Sequence, residues 1–600
     1  MFRQTFSTEN LSEDTISTFM RSNYLLPIYV LLLGLLPFGL QASSFPFSFG
    51  VASGDADVSS LVIWTRLDDL IAMPHQVSYE VAYDADFNTV VKSESLIVED
   101  QFVKVLVEGL SSGCIYYRFR AAGFVSATGR AKIIDDGQAV TFAAFSCADH
   151  QRGYFHVYDH ALQANEADYL LFLGDYYYDN APSEAAVDVE GREHNPPYLP
   201  RTRGDFELRW KQYRGNALLQ ELHRQYASYA IWDDHEFADD CWRDGGENIS
   251  GDEWEELKRN AVDAWYDWMP VRDREVDFAS AELGPAKLIL TETRIRGRDE
   301  VLPAGDPGTL EEGRSLLGEE QENWLVTELA HDRPWTILIS GVPVMPQLFE
   351  NLSIRPHAWD GYPEARTRLQ SAIEDNDTKL LVLSGDMHAS RVADLPTDEY
   401  NSENQTGSWG VEITAPPVTS IVRQVPDSLT FIQQNEHIKF FQESNRGYLK
   451  LAVSNDHILA QFIWIVNVTE STDYFFADGP MFIATTGQDG ISQTSEGELG
   501  LSDCELLEDS SVIEEEGEEG IILFPNPTEG KTYMSFDAEE GDYLVSVFNS
   551  IGSVMHSFHF SAGYSGKHLI QLFGWELTPG FYTVQIEGSS YSQTTRLIVR

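Results

Sequence analysis

The sequence is poor in cationic residues, with 41 lysines and arginines against 95 aspartates and glutamates, and its formal net charge is -54 over 600 residues. This excess of acid argues against nucleic-acid binding by general charge, because such binding needs lysines and arginines that displace counterions. It also repels anionic substrates, so a site for one requires its own local positive charge. Cysteine is scarce as well: four scattered residues are too few for a disulfide framework.

The chain also lacks the repeated long apolar segments of a multi-span membrane protein, and its 42% hydrophobic and 23% charged residues are typical of globular proteins. One apolar run, Leu25–Leu40, is short for a membrane helix and contains two prolines. Arg21 precedes it and small residues follow, which predicts a secretory signal peptide over residues 1–42. We expect translation to start at Met20. A permanent membrane anchor is the alternative.

Changes in sequence texture predict a multidomain protein. Residues 43–135 alternate in the manner of β-strands separated by turns, which predicts an Ig/fibronectin-like β-sandwich. Residues 136–500 have an α/β texture, and residues 501–520 form an acidic run that reads as an extended linker. Residues 521–600 return to short alternating strands, which predicts a second, C-terminal β-sandwich.

Apolar runs in the α/β region predict buried strands at Ala139–Phe145, Tyr169–Leu173, Tyr229–Trp232, Thr336–Ile339 and Leu380–Leu383. All but the fourth run directly into polar motifs: Ser146-Cys147-Ala148-Asp149, Gly174-Asp175-Tyr176-Tyr177-Tyr178-Asp179, Asp233-Asp234-His235-Glu236 and Gly385-Asp386-Met387-His388. Ligands bind at the carboxyl ends of strands in α/β sheets, so neighbouring strands would bring these motifs together.

The side chains in these motifs are carboxylates, imidazoles, phenols and a thiol, all of them metal ligands. Crowding acids at one sheet edge without cations would be strongly repulsive, so the pattern predicts bound metal ions. Taken singly, each motif has an ordinary explanation: Asp175 as a helix cap, Cys147 as a small core residue, His388 as a hydrogen-bonded core histidine, Asp233 and Asp234 as solvated surface. The coincidence of four such motifs favours the metal site.

Together, and in this order, the motifs resemble the PhoD-type alkaline phosphatase/phosphodiesterase family of metallophosphoesterases. Gly50–Asp55 and Trp64-Thr65-Arg66 resemble that family's N-terminal domain, and Leu317–Gln321 and Trp359–Pro363 match later blocks. The resemblance implies a central α/β metallophosphoesterase sandwich. The C-terminal pattern, from Phe524-Pro525-Asn526-Pro527 to Arg596–Arg600, resembles the sorting domain of the type IX secretion system. It implies a Bacteroidetes-type bacterium and export across the outer membrane by that machinery.

The resemblance, extended to purple acid phosphatases, implies a role for each motif residue. Iron(III) would be bound by Cys147, Asp175, Tyr178 and His388, with Asp175 bridging to a second metal, calcium, that Asp234 and Asp386 would face. His235 would be the catalytic histidine that protonates the leaving group or stabilises the transition state. Asp233 and Glu236 would hold His235 in place.

Two departures from the family pattern stand out. The block in which family members often carry an aspartate reads Glu292-Thr293-Arg294 here. The precursor also shows a single Arg21 where a twin-arginine signal is usual.

The sequence therefore predicts an exported metallophosphatase that hydrolyses phosphate mono- or diesters by attack of a metal-bound hydroxide. A phospholipase D-like phosphodiesterase, or a non-catalytic cell-surface binding protein on the same scaffold, is the alternative. The expected partners are the phosphate ester and the type IX secretion machinery, with no transmembrane anchor in the mature form.

Overall fold

The computed structural model describes residues 45–507, with gaps at 182–186, 247–248, 350–351, 354, 423–427, 473, 498 and 501. Beyond these it describes residues 522–524, 532–538, 541–549, 554–562, 566–572, 577, 580–588 and 592–599. The signal peptide predicted for residues 1–42 and residues 508–520 of the predicted acidic linker lie outside the described residues.

The N-terminal part consists of strands joined by turns. They are β1 (Val51–Asp57), β2 (Ser60–Arg66), β3 (His75–Ala82), β4 (Val90–Val98), β5 (Phe102–Glu108), β6 (Gly113–Ala121), β7 (Phe124–Val125) and β8 (Gly129–Ile133).

The central part mixes strands and helices, and each of the five predicted buried strands is a strand within two residues of its predicted bounds. Its first half holds β9 (Val140–Phe145), α1 (His156–Ala164), β10 (Tyr169–Leu173), α2 (Arg203–Arg214), α3 (Ala217–Gln225), β11 (Ala227–Ile231), β12 (Gly245–Gly246), β13 (Ile249–Ser250), α4 (Gly251–Trp268), β14 (Ala279–Leu283) and β15 (Ala286–Leu290). Its second half holds α5 (Gly318–Glu328), β16 (Trp335–Ser340), β17 (Leu348–Phe349), β18 (Leu352–Ser353), α6 (Pro363–Asp375), β19 (Leu380–Ser384), β20 (Ser390–Asn401), β21 (Thr406–Thr414), α7 (Ser428–Gln434), β22 (Ile438–Gln442), β23 (Arg446–Val453), β24 (His457–Val466), β25 (Phe475–Thr485) and β26 (Ile491–Thr494).

Two large sheets organise the central part. One has the strand order β26-β25-β24-β23-β9-β10-β11-β1-β2-β5, and the other has the order β14-β15-β16-β19-β21-β20-β22. Strands β9, β10 and β11 are parallel neighbours, as are β15, β16 and β19. Their carboxyl ends therefore lie side by side at one edge of each sheet, which is where the polar motifs begin.

Side-chain alternation along these strands builds the layers. In β10, Leu171 belongs to an apolar core that it shares with Leu381 of β19, between the two large sheets. Its neighbour Phe172 belongs to a second core, formed with α1–α4 on the outer face of the first sheet. Val382 of β19 likewise packs with α5–α7 on the outer face of the second sheet. The central part thus has four layers, with helices outside and the two sheets inside.

The N-terminal strands are divided between two sheets. Strands β1, β2 and β5 extend the first large sheet, with Ser53 of β1 beside Ala227 of β11, while β3, β4, β6, β7 and β8 form a sheet of their own. This differs from the self-contained Ig/fibronectin-like sandwich predicted for residues 43–135. The physical reason is that β1 and β2 are buried on nearly every residue. Such strands occupy the interior of a sheet covered on both faces.

A disulfide joins the N-terminal strands to the last residues of the described central part. Cys114 of β6 bonds to Cys504, 390 residues later. The Arg130 guanidinium reinforces the link by donating a 2.6 Å hydrogen bond to the carbonyl oxygen of Cys504. Residues 502–507 are therefore attached to the N-terminal strands, although they fall within the predicted linker and no local pattern pairs these two cysteines.

The C-terminal part contains β27 (Ile522–Phe524), β28 (Thr532–Ala538), β29 (Gly541–Asn549), β30 (Val554–Ala562), β31 (Gly566–Leu572), β32 (Gly580–Glu587) and β33 (Ser592–Val599). They form two sheets, in the orders β27-β28-β31 and β30-β29-β32-β33. Phe536 of β28 shares one buried core with Val545 of β29 and Ile586 of β32.

Candidate metal centre

The four polar motifs meet at the carboxyl ends of β9, β10, β11 and β19. Ligand atoms of Cys147, Asp175 and His388 all lie within 4.8 Å of one another, and so do those of Asp175, Asp234 and His235. A third group with the same spacing contains Asp233, Asp234 and Asp386. Tyr178 joins the first group through its hydroxyl, as described below. The structure therefore brings all seven predicted site residues together, while their individual roles stay predictions.

Backbone strain is concentrated at this edge. Four of the site residues have left-handed backbone conformations: Cys147 (φ 57°), Asp175 (φ 53°), Asp386 (φ 62°) and His388 (φ 53°). A positive φ is costly for residues other than glycine, and such strain persists mainly where function requires it. Gly174, with φ 96°, makes the tight turn before Asp175 possible, because a Cβ there would lie 2.5 Å from Cβ of Asp233. The strained turns direct these side chains inward.

One half of the centre, which we call the thiolate half, consists of Cys147, Asp175, Tyr178 and His388. The Tyr178 hydroxyl donates a 3.0 Å hydrogen bond to Oδ2 of Asp175 and lies 2.8 Å from Nε2 of His388. Oδ1 of Asp175 is buried and has no hydrogen-bond partner among the described residues. A buried acceptor without a partner is costly, and a cation at this position would satisfy it.

The raised pKa values of the side chains in the thiolate half also favour a bound cation. Burial raises the pKa of the Cys147 thiol, the Asp175 carboxyl and the Tyr178 phenol well above their ordinary values, and the charges of neighbouring carboxylates add to the effect. Without a cation these groups hold their protons. Metal binding replaces such protons and stabilises the ionised ligands. The donor set therefore suits a metal that accepts thiolate, phenolate and imidazole.

The other half, which we call the acidic half, consists of Asp233, Asp234 and Asp386. These carboxylates surround Arg294, a residue that was not predicted as part of the site. Arg294 is fully buried and donates two hydrogen bonds to Asp233, from Nε to Oδ1 (2.5 Å) and from Nη2 to Oδ2 (2.8 Å). Its Nη2 also lies 3.1 Å from Oδ1 of Asp386 and 3.4 Å from Oδ1 of Asp234. A fixed positive charge therefore already stands among the carboxylates.

Electrostatics in the acidic half follow from this arginine. Burial raises the pKa of Asp234, but Arg294 and His235 outweigh it and lower that pKa below the ordinary value. A signal for Arg294 is present in the sequence: Thr291–Arg294 follows the buried strand β15 directly, as the four motifs follow theirs. This block was noted only because it lacks the aspartate that the family resemblance leads one to expect, so Arg294 was not assigned to the site.

His235 lies in a short 3-10 turn, Asp234–Glu236, directly after β11. Its Nδ1 lies 2.7 Å from Oδ1 of Asp179, which as a carboxylate accepts the hydrogen bond, and its ring packs 4.0 Å from the ring of Tyr178. Burial lowers the pKa of His235, but Asp175, Asp234 and Asp179 together raise it well above the ordinary value. His235 is thus oriented through Nδ1 by Asp179, while its Nε2 lies 4.0 Å from Oδ1 of the exposed Asp239.

The residues that hold His235 differ from those predicted. Asp233 pairs with Arg294 instead, and Glu236 accepts backbone hydrogen bonds from Asp175 (3.1 Å), Tyr176 (2.6 Å) and Asp233 (2.8 Å). The prediction was wrong because adjacent residues in a tight turn point in different directions. Asp179, at the end of the second motif, reaches the imidazole across the strand edge.

Most of the chain is similar to known proteins. Residues 142–462 match the model of the PhoD-like phosphatase family, residues 37–135 match the model of the PhoD-like phosphatase N-terminal domain, and residues 522–600 match that of a secretion system C-terminal sorting domain. The chain is 31% identical over 471 residues to alkaline phosphatase D of Bacillus subtilis (strain 168), covering 71% of this chain and 79% of the relative. A solved structure described as "Structure of PhoD" aligns with a TM-score of 0.69 and 28% identity, covering 76% of this chain and 93% of that one.

The C-terminal match confirms the predicted route of export. The sorting domain directs the chain by type IX secretion to the cell surface or the extracellular space. In the part of the chain that the structure describes, the helices are too short or too polar to cross a membrane.

Proposed function

Because the chain belongs to the PhoD-like phosphatase family, we propose that it is a metal-dependent phosphoesterase that hydrolyses phosphate mono- or diesters outside the cell. The observation that carries the proposal is the convergence of a thiol, a phenol, an imidazole and several carboxylates on one buried sheet edge. Such a donor set binds cations, and paired cations catalyse phosphoester hydrolysis.

The two halves of the centre suit different cations. Cys147, Tyr178 and His388, with Asp175, would hold iron(III), because thiolate, phenolate and imidazole are suitable ligands for iron. Asp234 and Asp386, sharing Asp175, would hold calcium, which prefers oxygen ligands. When bound, the cations supply Lewis acidity toward the phosphoryl oxygens and lower the pKa of a water molecule near phosphorus.

His235 supplies the proton in this proposal. Hydrolysis displaces the ester oxygen from phosphorus in line with the attacking water, so the departing oxygen gains negative charge. The His235 imidazolium, held through Nδ1 by Asp179, donates the proton at Nε2 to that oxygen. Phosphorus inverts, and the chain forms no covalent bond with the substrate.

The centre also accounts for how a strongly acidic chain can attract an anionic substrate. A chain with a net charge of -54 repels phosphate esters over most of its surface. Arg294 supplies a permanent positive charge at the sheet edge, and bound cations would add to it. Substrate attraction is therefore confined to the place where hydrolysis occurs.

The test combines metal analysis, colour and activity on purified protein. We expect bound iron, a visible tyrosinate-to-iron charge-transfer band, and hydrolysis of p-nitrophenyl phosphate or bis(p-nitrophenyl) phosphate that a chelator abolishes. Tyr178→Phe should lose the band, whereas Tyr176→Phe should keep it, because the Tyr176 hydroxyl lies 2.9 Å from Nε2 of His223, outside the centre. Undiminished hydrolysis by metal-free protein, or no hydrolysis of either ester by metal-loaded protein, would contradict the proposal.

A further inference from the structure

Arg294 occupies an unusual position for a buried arginine. Its side chain is fully buried, and its guanidinium pairs with Asp233 through two hydrogen bonds while Nη2 also contacts Asp386 and Asp234. A guanidinium stays charged under all physiological conditions. Nη1 of Arg294 also lies 3.9 Å from Oδ1 of Asp240. One permanent cation is therefore shared among four carboxylates, two of which are the proposed calcium ligands.

Hydrogen bonds to one side chain fix the backbone from which Arg294 extends. The carboxylate of Glu292 accepts hydrogen bonds from the backbone nitrogens of Arg294 (2.6 Å), Ile295 (2.8 Å) and Arg296 (2.9 Å). Gln321 in turn donates a 2.8 Å hydrogen bond to the carbonyl oxygen of Glu292. The turn after β15 is thus a rigid platform that presents the arginine to the centre.

We propose that Arg294 is a positioning residue that holds the acidic half together without a second cation and keeps this half's affinity for calcium low. Oδ1 of Asp234 and Oδ1 of Asp386 both face Nη2, so a cation bound by these two residues lies close to a like charge. The guanidinium and the bound calcium ion repel each other. This repulsion weakens the binding of calcium and the ion pairs of Arg294 by the same free energy, as thermodynamic linkage requires.

The two halves of the centre consequently differ in how tightly they hold their metals. The ion pairs and hydrogen bonds of Arg294 go to the acidic half, so the metal of the thiolate half is held without competition. The calcium of the acidic half becomes the exchangeable one, and activity follows the calcium concentration outside the cell. This inference rests on the proposed function, because it assumes that Asp234 and Asp386 bind the second cation.

The test measures calcium affinity directly, by calorimetric titration of calcium chloride into the iron-loaded protein, with thermal unfolding alongside. Arg294→Met removes the charge, so we expect calcium to bind about tenfold more tightly or better. Its melting temperature should fall without calcium and recover on calcium addition more than that of the wild type. Arg294→Lys keeps a positive charge but not the two parallel hydrogen bonds to Asp233, and it should bind calcium more weakly than Arg294→Met. Unchanged or weaker binding by Arg294→Met would overturn the proposal.

Asp233→Asn provides a second test of opposite sign if Arg294→Met does not fold. Asp233 takes the main share of the guanidinium charge, so neutralising it leaves more of that charge to oppose calcium. Affinity should fall about threefold or more, and unchanged or higher affinity would contradict the inference. If the wild type binds neither iron nor calcium, the proposed function fails as well. If it binds both, and the variants bind calcium as the wild type does, only the role of Arg294 is lost.

Discussion

Replacing His235 by alanine tests the proton-donor role most directly. The imidazole is buried, its Nδ1 lies 2.7 Å from Asp179, and surrounding carboxylates raise its pKa well above the ordinary value. An imidazolium whose Nδ1 is held by a carboxylate presents Nε2 as a general acid. His235→Ala removes the proton and leaves the thiolate half intact.

The size of the effect depends on the leaving group. A positioned general acid contributes about 10²–10⁴ in rate, or about 3–5 kcal/mol of transition-state stabilisation. His235→Ala should lose this factor on an alkyl phosphate, whose leaving alcohol needs the proton, and much less on p-nitrophenyl phosphate. Asp179→Asn should lose about tenfold to a hundredfold on the alkyl ester, because the imidazole stays in place but loses the carboxylate that orients Nδ1 and favours the protonated ring.

The assay compares kcat and kcat/KM for the two esters, with metal content measured for each variant. His331→Ala, which removes a half-buried imidazole outside the centre, controls for general effects of losing a histidine. Equal losses on both esters would show that His235 acts on something other than the leaving group. Full activity of His235→Ala on the alkyl ester, with metals bound, would refute the reasoning.

Two further predictions concern stability. Gly174→Ala should cost about 2–4 kcal/mol of unfolding free energy, because Gly174 has φ 96° and a new Cβ would lie 2.5 Å from Cβ of Asp233. Gly191→Ala, at φ 80° with open space around it, should lose only the free energy that the positive φ costs a residue with a Cβ. Equal losses of unfolding free energy by the two variants in urea would contradict the steric clash at Gly174. Burial raises the pKa of Glu412 to about 7, so the folded state binds more protons than the unfolded state between about pH 4.5 and 7, and stability falls as pH rises through that range. Relative to Glu412→Gln, the wild type should lose up to about 3 kcal/mol of unfolding free energy as the pH rises through this range. A difference in unfolding free energy between the two proteins that stays constant from about pH 4 to 8 would contradict the prediction.

Local patterns account for what could be predicted of the site. An apolar run followed at once by polar residues marks the carboxyl end of a buried strand, and this signal is enough to locate Cys147, Asp175, Asp234 and Asp386. It works because strand formation and the tight turn after it depend on neighbouring residues. The sorting domain was recognisable for the same reason, since its strands and turns follow one another closely along the chain.

Contacts between distant residues required the tertiary structure. Arg294 reaches Asp233 across 61 residues, Asp179 reaches His235 across 56, and Cys114 bonds to Cys504 across 390. Periodicity says which face of a strand is buried but nothing about which strand lies beside it, so it also missed the entry of β1, β2 and β5 into the large central sheet. Pairing of this kind is decided by how the layers pack as a whole, and that packing determines which charges meet at the metal centre.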